Sequence, residues 1–505
     1  MIYHLIGIGG IGMSALARIL LQKGETVQGS DASASALIDQ LKKEGAKITI
    51  GHFEESVFPG MAVVYSTDIK ETNVEWKKAK ELHLPLFHRS EMLDQLMREK
   101  KPLLVTGTHG KTTTTALLAE VFCEAKLAPS FVIGGILRSQ NTNAQSGKGS
   151  YFVAEADESD GSFLKTPGFG AIVTNLENEH LSHWGNEEKL DAAFAQFFTQ
   201  VNKANHLFWC CDDPRLAQLN PPGFSYGFSE KAKLRISRYR QKENGIAFDL
   251  FFDGQIFSDV EISLFGRHNA LNGAAVFGLA LSLKVPEEAI RSALGKFSGT
   301  KRRLECKGEA GGVVLYDDYG HHPTEISVTL KALRERIGEK RLCVVFQPHR
   351  YSRVRDLLKE FVHCFEEADF VFLTDIYTAG ESPLIGISTE ILYEEMRKKI
   401  GRKLHYIPRN QLEQEVARLA KPQDILLTIG AGDVTRAGEP ILNLLNRRKL
   451  CEESGLCQGG SSNFLTGARD IARGKARSEG IKFEAKPTPT ETDSSDYFGI
   501  PRAEK

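Results

Sequence analysis

The residues 105–115 read VTGTHGKTTTT. Two glycines, a histidine, a lysine and six threonines, the last four consecutive, follow a short apolar, β-prone run at 103–105, and the helix-forming stretch 116–125 comes next. A strand that turns into a helix through glycines can curl its N–H groups inward, and the helix N-terminus adds a partial positive charge. Lys111 stands at that mouth, with Thr112 beside it. The combination is a phosphate cradle: Gly107, Thr108, His109, Gly110 and Thr113 shape it, Lys111 reaches the β/γ-phosphates, and the Thr112 hydroxyl suits a magnesium ion. The glycines stand closer than in G-x-x-x-x-G-K-[ST], in the short form that ends in GKTT.

Five further stretches carry chemistry. YFVAEADESDGSFL at 151–164 ends an apolar strand in Glu155, Asp157, Glu158 and Asp160. Hard carboxylate oxygens at a strand end suit magnesium, and Glu155 is the expected ligand. AIVTNLENEHLSHW at 171–184 ends another strand in Asn175, Glu177, Glu179 and His180. On spacing alone His180 is either a metal ligand or a satisfied polar residue. In FGRHNALNGAA at 265–275, Asn269 and Asn272 share one helix face and either cap the helix or read an adenine or ribose. YDDYGHHPT (316–324) and FQPHRYSRVRD (346–356) each follow a strand, and the second concentrates Arg350, Arg353 and Arg355. Arginines at a strand's carboxyl end grip carboxylates or phosphates bidentately.

These segments need elements to hold them. The opening MIYHLIGIGGIG, a helix over 13–23 and a strand ending in Asp31 make a βαβ unit with an acid about twenty residues after the glycines. That turn is compatible with a dinucleotide, a nucleotide-sugar diphosphate or a simple packing turn. EKKP at 99–102 and TKRR at 300–303 mark junctions. Strand and helix patterns alternate from 101 to about 297, with a β-rich insert near 223–265, and alternate again from 313 to about 447. The expected fold is α/β in three domains: a Rossmann-like domain at 1–100, a central P-loop ATPase domain at 101–298 and a Rossmann-like domain with a mostly parallel sheet at 299–448. Residues 449–505 lose apolar periodicity and read as a largely disordered tail, with 463–477 able to form a helix on a partner.

Bulk composition narrows the classes. The 505 residues carry 64 basic and 65 acidic side chains, so no nucleic-acid surface is implied. No apolar run is long enough to span a bilayer, and no basic leader with a cleavage site is expected at the N-terminus. The eight cysteines form no C-x-x-C pair, and the expectation is reduced thiols in the cytoplasm.

TGTHGKTTT, AEADESDGSF, GRHNALN, DDYGHHPTE, FQPHRYSR and GAGD, in this order over residues 1 to about 447, resemble the Mur ligase family. The resemblance is nearest to its alanine-adding branch. It implies UDP-sugar-binding, ATPase and amino-acid-binding domains, ATP with magnesium (manganese as a substitute) as cofactors, UDP-N-acetylmuramate and L-alanine as partners, and a role in peptidoglycan synthesis. Carried over by position, Gly9, Gly10 and Gly12 would cradle the UDP diphosphate, with Asp31, His52, Ser66 and Arg89 nearby. Lys111 would hold the ATP phosphates, Thr112 and Glu155 the first magnesium, and His180 a second. Asn269 and Asn272 would contact adenine or ribose. Arg302 or Arg303, with Asp317, would meet ATP from the third domain, and Tyr319, His321, Arg350 and Arg353 would form the amino-acid pocket, with His321 as a base. The chain departs from the family pattern at Glu179, Ser182 and Asp433, and it has Ala192, Ala193 and Phe194 where sibling enzymes place a modified lysine. The tail is expected to be a fused or docking element for a cell-wall enzyme. The rival expectations are a ligase that recycles a tripeptide onto the same sugar nucleotide, a nicotinamide-dependent oxidoreductase, and a non-catalytic nucleotide-binding partner.

Overall fold

The computed structural model describes residues 1–453, the side chains of Leu181, Ser182, Glu452 and Glu453 excepted. The expected tail at 449–505, its 463–477 helix and the Ser182 departure therefore lie largely or wholly outside the described residues. Three sheets carry the described chain.

The first sheet has the order β3-β2-β1-β4-β5, with β1 Ile2–Ile6, β2 Thr26–Asp31, β3 Lys47–Ile50, β4 Met61–Tyr65 and β5 Leu86–His88. All its pairings are parallel, and the order reverses between β1 and β4. Such a reversal opens a crevice at the carboxyl ends of the strands. The glycine turn, Asp31, His52, Ser66 and Arg89 all follow strand ends on this edge.

The second sheet has ten strands in the order β15-β14-β13-β12-β11-β10-β6-β9-β7-β8. Its centre is β6 Lys101–Thr106, β9 Tyr151–Glu155 and β10 Gly170–Val173, flanked by β7 Ser130–Leu137, β8 Thr142–Gln145 and β11 Leu207–Cys210. The β-rich insert forms β12 Phe224–Gly227, β13 Leu234–Lys242, β14 Gly245–Phe252 and β15 Gln255–Ile262, the last three as an antiparallel meander that extends the sheet. The helix after β6 runs Lys111–Glu124, five residues earlier than the expected start at 116. Gly110, at φ 83°, ends the loop tightly, and Thr112, Thr114 and Thr115 are buried in the first turns of the helix, so the threonines belong to the helix and not to the loop.

The third sheet has the order β16-β17-β21-β18-β19-β20: β16 Glu305–Ala310, β17 Val313–Asp318, β18 Leu342–Phe346, β19 Phe370–Leu373, β20 Leu404–Tyr406 and β21 Ile425–Ile429. Only β16 is antiparallel.

The apolar cores are unequal. One continuous cluster runs from the first sheet (Leu5, Ile8, Met13, Leu16) into the second (Leu103, Val105, Phe131, Phe194, Phe277). The third sheet has a cluster of its own around Leu330, Val344, Phe346, Phe361 and Leu427. The seam between the first two sheets is also pinned by polar groups. Asn143 Nδ2 donates to Ile11 O at 2.7 Å and to Ser14 Oγ at 3.0 Å, while buried Arg18 donates to Asn143 and, at 2.8 Å, to Glu44.

Candidate active site

The three carboxyl edges face one cavity of about 500 Å³. Gly12 and Arg89 border it from the first sheet. Thr108, His109, Gly110, Lys111, Thr112, Glu155, Asp157, Glu179 and His180 border it from the second. Arg303, Tyr319, His321, Glu325, Arg350 and Arg353 border it from the third.

The phosphate loop is shaped by close packing. Gly107 has φ 122°, and a Cβ there would stand 2.3 Å from Thr174 Oγ1 and 2.7 Å from Asn175 O. Asn175 Oδ1 accepts the His109 N–H at 2.8 Å, and Asn175 Nδ2 donates to His109 O at 3.0 Å. Lys111 Nζ donates to Gly107 O at 2.5 Å and Thr108 O at 3.1 Å, and pairs with Glu158 at 2.9 Å. Burial opposes its charge, but Glu158 and Asp157 outweigh burial and raise its pKa. Burial pushes Glu158 up to about 7 against the pull of Lys111. Asp157 goes the other way: burial opposes ionisation, but Lys111 and Arg89 hold it well below the usual carboxylate range. Arg89 Nη2 donates to Asp157 Oδ2 at 3.0 Å, which joins the first sheet to the second across the cleft.

The residues expected to hold magnesium fit a hard divalent ion. Thr112 is buried, and its hydroxyl donates to Glu155. Gly134 N–H donates to Glu155 Oε1 at 2.6 Å, and a Cβ at Gly134 would lie 2.8 Å from both carboxylate oxygens, so only glycine leaves the carboxylate its place. His180 closes the same cavity with φ 59°, a strained backbone for a non-glycine residue. Its pKa is lowered, by burial first, which favours the neutral imidazole a metal requires.

A second cavity, of about 300 Å³, adjoins the loop and is lined by Gly110, Thr113, Asn175, Phe265, His268, Asn269, Leu271, Asn272, Arg303 and Asp318, among others. Asn269 Nδ2 donates to Phe265 O at 2.8 Å and Asn272 Nδ2 to Asn269 Oδ1 at 3.1 Å, leaving the Asn272 oxygen near Gly110. An apolar slot with amide edges beside a phosphate loop is suited to a base.

On the third sheet, Arg350 has φ 69° and donates its N–H to Tyr377 O at 2.8 Å. His321 lies with Nδ1 3.1 Å from Tyr319 O and 3.5 Å from Glu325 Oε2. Burial pushes it down to about 4, so it is neutral at pH 7. His349 stacks on Tyr377 with centroids 5.7 Å apart and is pushed down to about 3, by burial first and then by His321 and the arginines.

Some expected residues point elsewhere. Arg302 does not border either cavity. Its Nη2 donates to Gly430 O at 2.6 Å and its guanidinium lies over the Tyr319 ring, while Arg303 lines both cavities. Asp317 accepts from Thr428 Oγ1 and Thr435 Oγ1, both at 2.7 Å, which consumes its oxygens inside the domain; Asp318, on the opposite face of β17, lines the smaller cavity. Gly9, Gly10, Asp31, His52 and Ser66 lie on the first sheet's carboxyl edge but outside the larger cavity. Asp31 accepts the Gly9 N–H at 2.9 Å and so holds the turn, and His52 belongs to a knot with Ser30 and fully buried Glu75. Asp433 pairs with Arg409 at 3.2 Å and accepts from Gln347 at 2.7 Å, a carboxylate matched to a local cation.

Sequence reasoning missed a network beside the phosphate loop. His109 stands 3.5 Å from Glu177 and 3.5 Å from Glu325, and His322 faces Glu179 at 3.7 Å. Burial opposes protonation of His109, yet Glu177 and Glu325 raise its pKa to about 10. The one sequence signal was Glu325 three residues after His322, the spacing of a capping box, which the helix Pro323–Ile337 does carry.

Comparison with known proteins agrees with this arrangement. Residues 2–101 match the Mur ligase family catalytic domain, 105–280 the Mur ligase middle domain and 302–432 the Mur ligase glutamate ligase domain. A UDP-N-acetylmuramate–L-alanine ligase of Protochlamydia amoebophila is 48% identical over 448 residues, covering 88% of this chain and 99% of the relative. A bifunctional enzyme MurC/Ddl of Chlamydia caviae is 43% identical over 440 residues, which make up 54% of its length. Among solved structures, the UDP-N-acetylmuramate-alanine ligase MurC of Thermotoga maritima superposes with a TM-score of 0.76 at 25% identity, covering 88% of this chain and 98% of that one. With its three sheets, its phosphate loop and these relatives, the chain belongs to the Mur ligase family.

Proposed function

We propose that this Mur ligase joins L-alanine to the lactyl carboxylate of UDP-N-acetylmuramate, consuming ATP and releasing ADP and phosphate, as a step of peptidoglycan synthesis. One observation carries the reading: a single cavity between three carboxyl edges gathers Arg89 from the first sheet, a phosphate loop with a carboxylate–hydroxyl pair from the second and an arginine pair from the third. The alanine-ligase relative at 48% identity supports alanine over a tripeptide. The phosphate loop, the Asn269–Asn272 slot and the third sheet leave a nicotinamide oxidoreductase unsupported.

In this reading the sugar-nucleotide carboxylate attacks the γ-phosphorus of ATP, giving an acyl phosphate. The amine of alanine then attacks the acyl carbon, and phosphate leaves. Two anions meet in the first step, and Lys111 and Arg303 offset their repulsion with charges fixed by the fold. Thr112, Glu155 and His180 would hold magnesium, which when bound neutralises phosphate charge. Arg350 and Arg353 orient the amino-acid carboxylate, and neutral His321 takes the amine proton. Arg89, bound to Asp157, positions the sugar nucleotide at the mouth of the cleft. Division into units at about 100 and 298, with a docking role for residues 449–505, belongs to the same proposal.

The test is phosphate release with ATP, magnesium and UDP-N-acetylmuramate, adding L-alanine, glycine, L-serine or the tripeptide separately and weighing the product. The expected result is release and a one-residue mass gain with the small amino acids. Dependence on the tripeptide, or nucleotide binding with no turnover, would overturn the reading. Discrimination among alanine, glycine and serine is expected to be modest, since one methyl or hydroxyl contributes only about 1–3 kcal/mol.

A further inference from the structure

We propose that His109, Glu177 and His322 form a site for one transition-metal ion of the Zn²⁺ class, separate from the residues that suit magnesium. The three ligand atoms all lie within 4.8 Å of one another. Glu177 Oε2 is the hub, 3.5 Å from His109 Nε2 and 3.9 Å from His322 Nδ1. Two ligands of one tetrahedral zinc ion, each about 2.0–2.2 Å from it, stand about 3.3–3.6 Å apart. The first separation already matches, and the second needs a shift of a few tenths of an ångström.

The His109 nitrogen is an independent sign. Nε2 is shut away from solvent and makes no well-formed hydrogen bond; its one facing group is Glu177 Oε2 at 3.5 Å, the spacing of two ligands on one ion. A buried nitrogen in that state carries a desolvation cost that a metal bond would offset. The opposite nitrogen, Nδ1, faces Glu325 Oε1 at 3.5 Å, the outer carboxylate that orients and polarises a ligating imidazole. Two existing contacts must yield, and His109 must give up the proton that Glu177 and Glu325 hold on it, so binding releases a proton. Glu177 Oε2 also accepts from Thr324 Oγ1 at 2.8 Å, and His322 Nδ1 accepts a long 3.3 Å bond from Thr324 N–H, which ligation would replace.

The donor set decides the ion. Two imidazoles against one carboxylate favour zinc and its neighbours, whereas magnesium prefers a mostly oxygen set, such as the Thr112 hydroxyl and Glu155 carboxylate offer, and keeps its waters. The reaction's own cation should therefore not compete. The ligands come from the phosphate loop, from the segment after β10 and from the turn that opens the helix Pro323–Ile337, so a bound ion would tie the third sheet to the phosphate loop.

The experiment uses the full chain in millimolar magnesium. Zn²⁺ is titrated against a chromophoric chelator, and Co²⁺ absorption is recorded in parallel. One ion per chain should be retained, with the strong visible bands of a four- or five-coordinate cobalt site. Glu177→Gln and His322→Gln should each weaken binding at least tenfold, while His180→Asn should change it less than twofold. Unchanged affinity in His322→Gln, or loss in His180→Asn alone, would overturn the proposal. Circular dichroism checks that the variants fold. Should they not, the unaltered chain decides: weak octahedral cobalt bands that magnesium abolishes would refute the site. None of these readouts depends on the ligase reading, so the two fail independently.

Discussion

At the scale of single residues, the charges around Lys111 make the sharpest forecasts. Lys111→Met should lower phosphate release by about 10²–10³-fold, the usual loss when one fixed transition-state charge is removed. It also strips Glu158 of its counter-ion. Burial holds Glu158 up to about 7 even against the pull of Lys111, and without that pull it rises further, so the folded variant keeps a proton that the unfolded chain has lost. Urea unfolding of Lys111→Met should thus show a deficit, relative to the parent chain, that grows as pH rises above about 7, and Lys111→Met with Glu158→Gln should recover stability without recovering turnover. At the amino-acid end, Arg350→Lys and Arg353→Lys should each raise the KM for alanine by about tenfold, because an ammonium cannot reproduce a bidentate guanidinium; equal loss in kcat with unchanged KM would contradict that assignment. His349 sets an acid limit. Its folded pKa of about 3 lies below the unfolded 6.5, so the unfolded chain binds the extra proton and stability falls as pH drops from 6.5 toward 3. The His349→Gln variant should lose that part of the slope, measured by melting temperature against pH.

At the scale of elements, the contiguous motifs were legible because each is a strand end with its own chemistry attached. The loop 105–115, Glu155 at the end of β9 and Arg350 after β18 could be read in place, since a strand-to-helix turn carries its function in adjacent residues. What could not be read was orientation and partnership. Asp317 and Asp318 occupy opposite faces of β17, and one step along a strand reverses a side chain; Arg302 and Arg303 lie in the turn before β16, where no period says which of the two lines the cavities. Lys111 meets Glu158 and Arg89 meets Asp157 through sheet order, 47 and 68 positions apart in sequence, and nothing local announces either pair. The helix start at Lys111 was placed late because threonines look like loop residues until the sheet buries them. Gly107 tests the turn itself. Gly107→Ala places a Cβ 2.3 Å from Thr174 Oγ1 at φ 122°, and should cost on the order of 1–3 kcal/mol in thermal unfolding and abolish tight nucleotide binding together. Loss of binding with no change in stability would mean the loop has relaxed around the methyl group.

At the scale of the whole described chain, the division of the core matters more than the count of sheets. The first two sheets share one apolar cluster, whereas the third has its own and meets the phosphate loop largely through charged and polar groups. Calorimetry should therefore resolve a transition for residues from about 302 onward, distinct from a joint transition of the first two sheets. A fragment of residues 1–298 should fold, and a fragment beginning at 101 should aggregate through the apolar seam it exposes. A single transition with both fragments unfolded would refute the scheme. The seam at Asn143 and Arg18 has a mechanical consequence. It welds the helix that starts at the glycine turn to the ATPase sheet, so the two work as an anvil of fixed shape. In the proposed reading, the jaw left to swing among the described residues is the third sheet, which has a core of its own. Such a vice has one moving part, and whatever wedges that jaw, from any direction, stops the whole tool.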